Sequence, residues 1–203
     1  MYKMMASFVT AAALMASAPA FAADCAGLEG KDLEKCEKKN ASAAKQDTRS
    51  VAYLPSALHA DLAAWDAAEK NPFATDAYRV RVTEAGIPSV DAYLGKAFKV
   101  QATMAFAKYV VDESTKGNVD AMKLAPKLVP MVQEAVGAVQ ALVTEGQDLV
   151  TNKVPAEIKA DPKLAMKGPK ALTALKDGLA ALQSAATTAP EIGKSIAAIV
   201  PAP

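Results

Sequence analysis

Two stretches in the second half of the chain carry apolar side chains at alternating steps of four and three residues. The first is Leu128, Val132, Ala135, Val139, Leu142, Gly146, Leu149, and the second is Gly168, Leu172, Leu175, Leu179, Leu182, Ala186, Ala189. Such spacing gathers side chains on one face of an α-helix, whereas a strand, with its period of two, would scatter them over both faces. A parallel row, Val132, Val136, Val139, Val143, Gly146, Val150, widens the first seam enough to touch two neighbours at once. Between the seams, Thr151 to Pro162 contains Pro155 and Asp161-Pro162 and reads as a reversal. Matched seams on either side of a short Pro-marked segment predict an antiparallel helical hairpin.

The preceding segments fit the same architecture. Tyr93, Ala97, Val100, Met104, Ala107 and Val111 step 4-3-4-3-4, with Phe98, Phe106 and Tyr109 broadening the face, and Lys116-Gly117-Asn118 ends it. Leu54, Leu58, Leu62, Trp65 and Ala68 make another helical row, stopped by Asn71-Pro72. Thr75 is placed to cap a short helix Asp76–Ala85 closed by Gly86. The alternation Arg79-Val80-Arg81-Val82-Thr83 is the one strand-like signal, and its flanks suit a helix better. Pro126 and Pro130 suggest a bent start to the first of the two seams. The expected fold is all-α: a single antiparallel helical bundle of five to seven helices, a C-terminal helical hairpin and an N-terminal arm tied by a disulfide.

The N-terminus carries an address. Met1-Tyr2-Lys3 is a short basic start, Met4 to Met15 is mostly apolar, and Ala16-Ser17-Ala18-Pro19 precedes small residues at Ala20 and Ala22. This pattern reads as a secretory signal peptide over residues 1–22, cut before Ala23. The apolar run is shorter than the ~20 residues that span a bilayer. Asp24 stands where a lipidated Cys25 would need a small uncharged neighbour. Removal of the signal leaves no stable transmembrane segment, and the expected location is the periplasm of a Gram-negative bacterium, or secretion. Residues 23–50 then form a charged arm, with Asp47-Thr48-Arg49-Ser50 as a linker, and residues 51–203 the bundle. Cys25 and Cys36 are the two cysteines of the chain. An even count in an exported protein favours a disulfide. Redox catalysis usually uses Cys-x-x-Cys, so the pair reads as a staple.

Charge narrows the function. Lys and Arg total 23 against 22 Asp and Glu, and loss of Lys3 brings the mature chain to neutrality. Nucleic-acid binders show a basic footprint, so no nucleic acid is expected as a partner. Three arginines, Arg49, Arg79 and Arg81, leave few groups for bidentate anion recognition. His59 is the single histidine and lies beside an apolar row with no nucleophile motif to serve. Phosphate loops, His-Glu-x-x-His and Glu-x-x-His pairs are missing from the sequence. No catalytic residue, cofactor site or metal site is expected.

Three other features raise binding. Trp65, Tyr53, Tyr78, Tyr93 and Tyr109 would make a ligand platform if they converged, although core packing is the commoner use of such rings. Lys163, Lys167, Lys170 and Lys176 beside the second seam would suit an anionic membrane surface, although a solvated outer face looks the same. Glycines inside helices cost about 1 kcal/mol each relative to Ala, and serve either close helix approach or a void. A void would place an apolar ligand against Val139, Leu142, Gly146, Leu175, Gly178 and Leu179. The sequence therefore points to an exported, non-enzymatic bundle that binds or scaffolds another cell-envelope component. The alternative is a carrier or sensor of a small apolar ligand, a fatty acid or lipid, held between helices.

Overall fold

The computed structural model describes residues 25–64, 72–74, 78, 80–81 and 83–200. The signal segment, Trp65, Ala68, Asn71, the Thr75 cap, Arg79, Val82 and the last three residues lie outside the described residues, as does the side chain of Leu62. The elements in order are α1 (Gly30–Ala52), a 3-10 turn Ser56–Leu58 leading into α2 (His59–Ala64), a 3-10 turn Pro72–Ala74, α3 (Pro88–Thr115), α4 (Val119–Asp148), a π-helical turn Leu149–Lys153, α5 (Val154–Ala160), a 3-10 turn Pro162–Leu164 and α6 (Gly168–Ile199). No strand occurs among the described residues.

Helices α3, α4 and α6 pack against each other in all three pairings. Their shared core holds Tyr93, Phe106, Leu128, Leu149, Leu175, Leu182 and Ile196, each exposed by less than 2 %. Each such side chain contributes about 1.5–3 kcal/mol by leaving water. Tyr93 meets Gly146, and Lys96 pairs with Glu145 while Lys99 pairs with Glu134. On the other side of α4, Gly146 lies against Leu179 and Val132 against Gly193.

Local chemistry sets the helix ends. The N–H of Gly117 (φ 82°) donates to Ser114 O, and that of Asn118 to Glu113 O, closing α3 in the left-handed manner glycine favours. The Asn118 side chain then accepts from the Asp120 and Ala121 N–H groups and opens α4. Pro88 begins α3, where its missing N–H costs nothing. The Asp91 carboxylate accepts from the N–H groups of Ala85 (2.6 Å) and Gly86 (3.1 Å), fixing the chain's approach to α3.

Cys25 and Cys36 form the disulfide, with Cα atoms 6.0 Å apart, and Asn40 Nδ2 donates to Cys25 Sγ at 3.3 Å. The staple fastens the residues before α1 to that helix.

Several local expectations are corrected. Asp47–Ser50 is no linker, since α1 runs through it to Ala52. Ser50 is fully buried and its Oγ donates to Val80 O at 2.8 Å, a tertiary partner invisible in a run of polar residues. That bond also ties down the stretch expected as a helix to Ala85: Val80, Arg81 and Thr83–Ala85 lie in no helix. Pro126 and Pro130 lie inside α4, which starts seven residues before the first of them. Both residues are exposed, on the outer side of the helix. The segment expected as a reversal from Thr151 is largely helical, because the π turn and α5 continue past Thr151 and Pro155 to Ala160. In α6 Gly168, Leu175, Leu182 and Ala189 of the expected row are buried, with Ala171, Ala174, Gly178, Ala185 and Ile196 buried beside them. Leu172 and Leu179 are half-buried and Ala186 is exposed. The buried face keeps alternate positions of the expected row and shifts by one residue at the three between them.

Candidate apolar groove

The first seam, Leu128 to Leu149, is buried at every position expected of it. That leaves the next face of α4 to meet the outer face of α3. Here lies a groove of about 340 Å³, lined on α4 by Met131, Glu134, Ala135, Ala138, Ala141, Leu142 and Glu145, on α3 by Lys96, Lys99, Val100 and Thr103, and at one edge by Pro55. Alanines at 135, 138 and 141 keep its floor low. Thr103 commits its hydroxyl to Lys99 O at 2.9 Å, so it offers the groove chiefly a methyl.

The rim is charged and paired. Lys96 Nζ donates to both Glu145 oxygens at 2.9 and 3.0 Å, and Lys99 Nζ lies 3.6 Å from Glu134. The lysines and Glu134 are more than half exposed. Exposed pairs of this kind are worth about 0–1 kcal/mol, so an arriving partner can exchange them at little cost. Along α4 the groove runs from Met131 to Glu145, about 21 Å at 1.5 Å per residue.

The six residues expected to line a void are only partly gathered. Leu142 belongs to the groove and Gly178 lines a separate hollow between α3 and α6, while Gly146 faces packed side chains. A methyl on Gly146 would overlap the Tyr93 hydroxyl and lie 2.8 Å from both Tyr93 Cζ and Leu179 Cδ2. One on Gly178 would come within 3.0 Å of Leu94 Cδ2. Val139 and Leu175 are buried in the core beside them. At these points close approach, with Tyr93 filling the space, is what the glycines permit. The groove itself was missed because its alanines carry no hydrophobic signal strong enough to stand out from the core face.

The remaining sequence candidates do not converge. His59 is exposed at the start of α2. Tyr53 packs edge-on against Phe98, and Tyr78 against Tyr109 with ring centres 5.3 Å apart, while Tyr93 is in the core. Tyr78 donates to Asp112 at 2.6 Å and lies under Lys108 Nζ, which also bonds Asp112 at 2.6 Å. Burial raises the Tyr78 hydroxyl, and its bond to Asp112 raises it further. Burial works against ionisation of Asp112, but hydrogen bonds from Lys108 and Tyr78 prevail and lower its value. The cluster fastens Tyr78 to α3. Lys163, Lys167, Lys170 and Lys176 are all exposed, and Lys167 Nζ donates to Gly86 O at 3.0 Å. Among the described residues no three His, Cys, Asp or Glu groups gather as metal ligands, and no helix is long and apolar enough to cross a membrane.

Comparison with known protein families, with curated proteins and with solved structures finds no match. The functional reading therefore rests on the chain's own chemistry.

Proposed function

We propose that this chain is an exported, non-enzymatic bundle protein that binds or scaffolds another cell-envelope component, and that the α3–α4 groove is its docking face. In this reading α3, α4 and α6 alternate in direction, as the pairing of Tyr93 with Gly146 and of Val132 with Gly193 suggests, and the occupant is an amphipathic helix lying alongside them. The observation that carries it is the groove's form: a floor of small apolar residues about four helical turns long, rimmed by Lys96, Lys99, Glu134 and Glu145. Small residues let a helix backbone approach closely. The exchangeable rim charges would set its register, as flanking charges do in coiled coils. The export signal of residues 1–22 supports an envelope partner.

The second reading, a carrier of a fatty acid or other lipid, is favoured by the groove's volume of about 340 Å³, which falls in the range of small-molecule sites. A photocrosslinking residue at exposed Ala141, compared with one at exposed Ala186 on α6, separates the two in intact cells. A discrete protein adduct from position 141 alone is expected. A lipid adduct there would replace the first reading with the second. Equal labelling from both positions would sink both.

A further inference from the structure

A different hollow, of about 470 Å³, lies between α3 and α6 and is walled by the non-helical residues Arg81 and Thr83. Ala174, Gly178 and Ala181 leave the space on the α6 side, and the Phe98 ring lines the α3 side. It adjoins a second hollow that shares Thr83, Ala174 and Asp177 and runs toward the start of α6.

Its chemistry is the reverse of the groove's. There the rim charges meet each other. Here Arg81 and Asp177 line one hollow, and neither makes an ion pair among the described residues. A cation and an anion around one space fit a molecule carrying both charges. We propose that this cleft binds a small zwitterion, a free amino acid or a short peptide with free termini. The carboxylate is taken by Arg81, the ammonium by Asp177, and the ligand's side chain lies against Phe98. The adjoining hollow admits a second residue of a peptide.

Calorimetric titration of the oxidised, processed protein tests this with four probes: L-phenylalanine, L-alanyl-L-phenylalanine, and that dipeptide either N-acetylated or C-amidated. At least one free-terminus probe is expected to bind, and blocking either end of the dipeptide weakens it roughly tenfold or more. Asp177→Asn should abolish the penalty for acetylation alone, and Arg81→Gln that for amidation alone. Both residues are exposed, so neither change threatens the core. Tighter binding of the dipeptide than of phenylalanine identifies peptides as the source, and the reverse identifies amino acids. Absence of binding by both free probes up to roughly millimolar concentration overturns the proposal, as does a blocked dipeptide that binds as well as the free one.

Discussion

Replacing Gly146 by Ala tests the packing of the three long helices at its tightest point. In an exposed helix the change would stabilise by about 1 kcal/mol. At position 146 the new methyl overlaps the Tyr93 hydroxyl and comes within 2.8 Å of Tyr93 Cζ and Leu179 Cδ2. Leu179 is half-buried and can swing aside. Tyr93 is fully buried, and its rigid ring cannot retreat without moving α3. Overpacking of this kind costs about 1–3 kcal/mol, which outweighs the helix gain. The expected net loss is up to about 2 kcal/mol, a fall in urea midpoint of up to about 1 M for a slope near 2 kcal/mol/M. Gly137→Ala is the control, on the same helix and with nothing within 4 Å of its added methyl; it should raise the midpoint. Tyr93→Phe removes the overlapping oxygen, which has no hydrogen-bond partner among the described residues. Alone it should be neutral or stabilising, because an unmet buried hydroxyl costs about 1–3 kcal/mol. Combined with Gly146→Ala it should recover at least about 1 kcal/mol, read as the coupling in a double-mutant cycle. If Gly146→Ala is as stable as Gly137→Ala, or the cycle shows no coupling, the account of this contact is refuted.

Burial pushes the Tyr93 hydroxyl up from 10.0 to about 12, with the Glu145 charge adding to it. The folded state thus holds this proton more tightly than the unfolded chain. Its contribution is complete below about pH 10 and is lost as pH rises toward 12. Urea midpoints across that range should fall, and Tyr93→Phe should fall less steeply. Ser50→Ala removes the buried hydroxyl that bonds Val80 O, and should cost about 1–2 kcal/mol by denaturation, with amides near Val80 exchanging faster. Reduction of Cys25–Cys36, which closes a short loop, should cost up to about 3 kcal/mol. The increase in hydrogen exchange should be concentrated in the first turns of α1, with α3, α4 and α6 little changed.

How much of this was legible follows from the distance over which each signal acts. The Leu128–Leu149 seam is a local pattern. Its neighbours lie one helical turn away, so periodicity alone placed all seven residues inside. Of the α6 row, Gly168, Leu175, Leu182 and Ala189 are buried as read, while Ala171, Gly178 and Ala185 take the buried places read for Leu172, Leu179 and Ala186. Ser50 is further still from local reasoning: its burial depends on Val80, thirty residues away. The same limit hid both hollows. Lys96 and Glu145 are forty-nine residues apart, and only the packed helices show that they satisfy each other. Arg81 and Asp177, as exposed as many other charged residues in the chain, differ from that pair only in facing one space without meeting across it. A docking face of alanines with its charges already matched, and a cleft whose opposite charges stay apart, can carry similar residues. What separates them is whether folding has already supplied each charge with its partner, and an unsupplied pair is the arrangement that a ligand can complete.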